Sequence, residues 1–158
     1  MRFNVATTFT RAAEEALIDV ESSIHVGARG PTNDSGVFNH TRDVGYGLID
    51  GTELFNAGLR NTAKNIVESL KGRSVYLCFD MDFFDPSCAP GVCTPTWGGA
   101  TSREGLDFLQ NLTGLNLVGA DINTVSPPHD ISGMTAFLAA TVGLEILSVI
   151  CHSKGLVE

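Results

Sequence analysis

Positive charge is scarce in this chain. Ten Lys and Arg stand against 18 Asp and Glu, for a net charge of −8. No basic cluster appears, so neither nucleic acid nor an anionic membrane is an expected partner. Long apolar runs are also lacking. The N-terminal stretch MRFNVATTFT has no apolar signal-peptide core. The longest apolar stretch, Ala136 to Ile150, is interrupted by Thr141, Gly143 and Glu145 and is expected to be too short for a bilayer. Cysteine is confined to positions 78, 88, 93 and 151, with no C-x-x-C spacing. That argues against a disulfide framework and for a reducing, cytoplasmic setting. With no repeat, linker or low-complexity tract, the 158 residues are expected to form a single domain over 1–158.

The chain that remains alternates between two periodicities. Phe9 to Ile18 reads as a helix and Ser23 to Gly27 as a short strand containing His25. A lone His in a strand is more often packed than a ligand. Thr32 to Arg42 reads as a loop carrying His40, and Gly45 to Asp50 as a second strand. Leu59 to Leu70 places Leu59, Ala63, Ile66, Val67 and Leu70 at helical spacing, with Gly72 as a stop. Thr101 or Ser102 is placed to cap a helix with Glu104 in its first turn, running to about Leu112. Leu115 to Ile122 reads as a buried strand, and Met134 to His152 as a final helix. Strands alternating with helices predict an α/β layer fold with a parallel sheet.

The most informative stretch is Ser74 to Gly99, SVYLCFDMDFFDPSCAPGVCTPTWGG. The run Val75 to Phe79 predicts a buried strand, and Asp80 and Asp82 follow it. In extended backbone, residues i and i+2 point the same way, so two carboxylates are expected at one point past the strand's C-terminal end. Open α/β sheets place their ligands there. Close carboxylates repel unless a cation or a proton sits between them, and a hard ion such as Mn²⁺ or Mg²⁺ suits oxygen donors. The spacing does not fit an EF-hand, since Phe84 and Asp85 stand where an oxygen ligand and a Gly are needed. An aspartyl-phosphate phosphatase is also a poor match, with Phe84 in place of a Thr. Asp85, before Pro86, suits a structural turn, and Cys88 and Cys93 suit small fillers, because thiolates favour softer metals.

The whole stretch resembles one family. D-x-D, then Pro86, Pro90–Gly91 and Gly99, is similar to the C-terminal metal signature of the ureohydrolases, the arginase, agmatinase and guanidinobutyrase group. APGVCTPTWGG resembles their A-P-G-T-G-T-P-x-x-G-G loop, with Val92 and Cys93 substituted. The similarity runs from about Thr7 to Leu147 and covers the C-terminal half of that family. It implies an arginase-like three-layer sandwich with a mostly parallel sheet, here incomplete. It carries Asp80 and Asp82 over as metal ligands. The implied cofactor is Mn²⁺, two ions in the complete site, with Ni²⁺ in some members.

The fourth strand runs into DINTVSPPHD, Asp121 to Asp130, which is similar to the family's D-x-x-E-V-x-P-x-x-D. Thr124 stands where the family's Glu receives the substrate guanidinium. Asp121 is expected to be structural, bonding the neighbouring loop, and His129 to border the pocket. Thr124, Trp97 and His129 are therefore the expected substrate contacts. An uncharged Thr124 and the bulky Trp97 point to a compact guanidino compound. Two further metal segments of the family, of the G-G-D-H and D-A-H-x-D types, do not occur here, and no catalytic residue is carried over. Val5 stands where a His of the family's H-G-T-x-F-R-R-A segment would be. The resemblance thus implies a fragment or truncated relative of a dinuclear hydrolase that releases urea from a small guanidino compound, homo-oligomeric when complete. Two rivals stay open: a non-catalytic remnant serving subunit contacts, and a phosphatase-like site.

Overall fold

The computed structural model describes residues 3–31 and 36–156. They fall in two compact units, Met1–Asp50 and Gly51–Glu158. Each contains one pair of parallel strands, β1 (Ile24–Ala28) with β2 (Gly47–Asp50), and β3 (Ser74–Asp80) with β4 (Asn116–Asn123). Parallel strands need a crossover, and helices supply it. The α/β class predicted from the alternation is what the chain adopts, with the four strands joined as two pairs.

In the first unit, helix α1 (Thr8–Glu14) is shorter than the expected Phe9 to Ile18. The chain leaves helical geometry at Ala16, whose φ is +51°. The stretch expected as a loop up to Arg42 contains helix α2 (Val37–Val44), so that reading is corrected from residue 37 onward. Residues 32–35 of that loop, and the side chain of Val5, lie outside the described residues. The helix was hidden because polar Asn39, His40, Thr41, Arg42 and Asp43 leave Val37, Phe38 and Val44 as its few apolar positions. It closes on Gly45 at φ +109°, and β2 follows at once. His25 on β1 packs edge-on against Phe9 and Tyr46, at ring distances of 5.3 and 4.9 Å. The Tyr46 hydroxyl donates to the carbonyl of Phe9 at 2.7 Å. His25 is therefore a packed residue.

The second unit opens with helix α3 (Gly51–Ala57), which continues directly from β2 and was not expected. Seven residues starting on Gly carry little periodic signal. Helix α4 (Leu59–Ser69) buries Leu59, Thr62, Ala63 and Ile66, one face at the predicted spacing. Helix α5 (Ser102–Gln110) begins with the expected cap. Thr101 Oγ1 accepts the Glu104 N–H at 3.2 Å, and Glu104 Oε2 accepts the Thr101 N–H at 2.9 Å. Phe79, Phe83, Phe84 and Phe108 form an aromatic cluster with ring distances of 5.6 to 6.0 Å. Gly105 makes room for it: a Cβ there would stand 2.1 Å from a ring carbon of Phe84.

Helix α6 (Met134–Ser153) is apolar nearly all round. Its buried side, Thr135, Val142, Ile146 and Val149, lies on the flank that meets β4 and α5. Phe137, Leu144 and Leu147 on its other side are exposed. The expectation of too short an apolar stretch is corrected here: at 20 residues, α6 is long and apolar enough to cross a membrane by length and composition alone. The predicted burial of β3 and β4 is also corrected. Leu117 and Phe79 are buried, but Tyr76, Cys78 and Val118 are exposed. The apolar runs alternate between a covered and an open face, so an apolar residue is not by itself a sign of burial on both faces.

Burial holds His25 below its ordinary value of 6.5. The fold thus favours the neutral imidazole. The associated stability is complete above the unfolded value and is lost as pH falls from 6.5 through the lower folded one. Thermal unfolding of the wild type and His25→Phe should diverge above and below that pH. The wild type is expected to lose more stability on acidification, because Phe keeps the ring contacts and binds no proton.

Candidate metal and substrate site

Strand β3 delivers Asp80 to its C-terminal end, and there the extended backbone stops. Met81–Phe83 form one turn of 3-10 helix, with Met81 fully buried. Asp80 Oδ1 accepts the Asp82 N–H at 2.9 Å, closing the turn. This corrects the reason for pairing the two residues. Strand alternation does not bring them together, because Asp82 sits in the turn. What links them is the Asp80 side chain, which bonds the backbone N–H two residues on.

Each carboxylate is met by a threonine hydroxyl. Thr124 Oγ1 donates to Asp80 Oδ1. Thr94 Oγ1 donates to Asp82 Oδ2 at 3.0 Å. Thr94 was not singled out in the sequence; its position in the Pro-rich loop after β3 was the available signal. The segments meet through the backbone. Asp80 stands opposite Asn123 in the parallel pair. Beyond it, Val92 bridges Val125 in antiparallel fashion. Ser126 N–H donates to the Gly91 carbonyl at 2.7 Å, and Cys93 N–H to the Thr124 carbonyl at 3.1 Å. The loop is thereby laid across the end of β4.

Gly91 is necessary to this crossing. A Cβ there would stand 2.5 Å from Asp130 Cβ and 2.6 Å from Asp130 Cα. The Gly91 N–H donates to buried Thr135 Oγ1 at 2.8 Å. The Asp130 carboxylate accepts from the N–H groups of Ile131, Thr135 and Ala136 at 2.9, 3.0 and 3.0 Å. Desolvation works against its charged form, but these bonds outweigh it and leave Asp130 below the usual carboxylate range. An anion at the first turn of α6 also meets the positive end of the helix dipole.

Asp85 takes the structural role expected of it. It accepts N–H bonds from Ser87 at 2.9 Å, Gly98 at 2.9 Å and Gly99 at 3.3 Å, tying both ends of the loop together. The bonds to Ser87 lead in holding it below its ordinary range. Asp121 is structural too, though its partners lie on the strands: it accepts from the Tyr76 hydroxyl at 2.8 Å and from Asn123 Nδ2 at 3.0 Å. Partial burial, then the neighbouring Asp121, push the Cys78 thiol up to about 11, so it stays protonated at neutral pH. Cys88 packs as a filler with its sulfur 3.4 Å from the Asp85 carbonyl, while Cys93 is exposed. Trp97 is 76% exposed. His129 is exposed as well, with Nδ1 2.7 Å from Ser126 Oγ. The structure thus brings Thr124 to Asp80, and places Trp97 and His129 on open surface.

Carboxylate oxygens suit a hard dication in kind. In number they fall short: among the described residues no three His, Cys, Asp or Glu side chains group as a metal site. Asp80 and Asp82 fit as two members of a ligand set.

A model of the arginase family matches residues 1–148. A guanidinobutyrase of Pseudomonas aeruginosa is 36% identical over 144 residues, 91% of this chain and 45% of that protein. An agmatinase of Photorhabdus laumondii is 36% identical over 153 residues, 97% of this chain and 47% of that protein. The solved proclavaminate amidino hydrolase of Streptomyces clavuligerus superposes with a TM-score of 0.88 at 36% identity, over 96% of this chain and 50% of that one. The chain spans about half the length of the relatives it matches.

Because the Gly91 position abuts Asp130 backbone and side chain alike, Gly91→Ala forces the crossing apart. Overpacking of this kind costs about 1–3 kcal/mol. Chemical denaturation should show that loss. Gly98→Ala, with nothing within 4 Å of its Cβ position, is the comparison; it meets no clash, only the strain of φ +79°.

Proposed function

Because the chain belongs to the arginase family, we propose that it carries the carboxylate share of a metal-dependent site that hydrolyses a guanidino compound to urea and an amine. The observation that carries this reading is the pair Asp80 and Asp82 at the end of β3, each fixed by a threonine, under a loop pinned to the end of β4. Asp80 and Asp82 would hold the metal, which we propose to be Mn²⁺ because the donors are hard oxygens. When bound, the metal supplies an activated water for attack on the guanidinium carbon. The chain's own residues orient the carboxylates and offset the metal's charge.

The substrate class follows the relatives' names, guanidinobutyrase and agmatinase. Thr124 contributes no negative charge to a bound guanidinium, which favours a compact guanidino compound over a long one. The shortage of ligands among the described residues favours a second reading, a non-catalytic module of the same fold. Under both readings, these residues alone leave a bound metal under-coordinated.

The test uses the purified chain with Mn²⁺ and a panel of guanidine, guanidinobutyrate, agmatine and arginine. We expect weak Mn²⁺ binding that disappears in Asp80→Asn/Asp82→Asn, and urea release far below that of a full-length relative. Whatever release occurs should favour the compact substrates. Mn²⁺ binding unchanged in the double variant contradicts the assignment. Metal binding with no urea from any substrate favours the non-catalytic reading, and turnover of a phosphate ester instead would replace both.

A further inference from the structure

Thr124 combines two features that the family resemblance does not account for. Its φ is +65°, in the left-handed region where a β-branched residue is a genuine outlier. Such strain persists only where the surroundings impose it. Here the Thr124 carbonyl is held by the Cys93 N–H at 3.1 Å, and the next residue, Val125, bridges Val92. The backbone is therefore fixed by the loop that crosses it. The second feature is the side chain, whose hydroxyl donates to Asp80 Oδ1.

That oxygen also accepts the Asp82 N–H at 2.9 Å. Two donors from different segments thus converge on Oδ1. Among the described residues no hydrogen bond falls on Asp80 Oδ2. A carboxylate gripped by one oxygen is oriented as a whole, and its other oxygen is presented in a set direction.

We infer that Thr124 is a positioning residue: its strained backbone aims the hydroxyl at Asp80 and locks the rotamer of that carboxylate. This assigns the position a different task from substrate contact, and it rests on the reading of Asp80 as a metal ligand. A ligand-orienting partner is typically worth roughly 10–100-fold in metal affinity. A glutamate at this position would bring a third negative charge and no hydroxyl donor. The threonine and the carboxylate are thus a matched pair.

The test compares Thr124→Val, Thr124→Gly and Thr124→Ser with the wild type. Val keeps the shape and loses the donor. Gly accepts positive φ without strain, so it retains the fold if Val does not. Ser keeps the hydroxyl. The readouts are the Asp80 χ1 rotamer, from three-bond NMR couplings on the metal-free chain, and Mn²⁺ affinity from electron paramagnetic resonance titration. Val and Gly are expected to let Asp80 average over staggered wells and to lower Mn²⁺ affinity roughly 10–100-fold, with Ser retaining both. A single Asp80 rotamer persisting in both Val and Gly overturns the inference, as does averaging in Ser. The rotamer readout needs no metal. A wild-type chain that binds no Mn²⁺ counts against the metal reading alone, and the couplings still decide Thr124.

Discussion

The bridge between Val92 and Val125 is the contact on which the candidate site depends. β3 and β4 alone would bring Asp80 only as far as Asn123. The bridge draws the loop after β3 back over the end of β4, and Thr124 is fixed in the process. It holds because the loop residue preceding it is Gly91, the one type that fits against Asp130. Asp130 in turn anchors the start of α6, and buried Thr135 ties that helix back to Gly91. A closed circuit therefore runs from loop to strand end to helix. Each member satisfies a backbone group of another, as buried polar groups must be.

This circuit explains how the two carboxylates are held at the end of β3. Three hydrogen bonds do so: the Asp82 N–H and the Thr124 hydroxyl reach Asp80, and the Thr94 hydroxyl reaches Asp82. Oxygen donors in an acidic chain suit a cation in kind.

Much of this was legible in the sequence, and the parts that were not have particular causes. Helices α4 and α5 announced themselves by spacing and by the Thr101–Glu104 cap. The Asp-x-Asp and Pro-Gly elements after an apolar run pointed to the candidate site and resembled the family to which the chain belongs. The turn at Met81 was not legible, because D-M-D reads equally as strand alternation or as a carboxylate bonding the backbone two residues on. Thr94 and the hydroxyl contact of Thr124 were hidden for a different reason. A threonine carries no charge and no fixed spacing, so its partner is set only once the loop has folded across β4. Helix α3 was too short, and α2 too polar, for periodicity to declare them.

The most direct measurement is anomalous X-ray scattering at the manganese edge from crystals of the chain grown with Mn²⁺. A single strong peak is expected in contact with the carboxylate oxygens of Asp80 and Asp82, lost in Asp80→Asn/Asp82→Asn crystals. Ordered manganese bound elsewhere on the chain, with none at Asp80 and Asp82, would contradict the assignment.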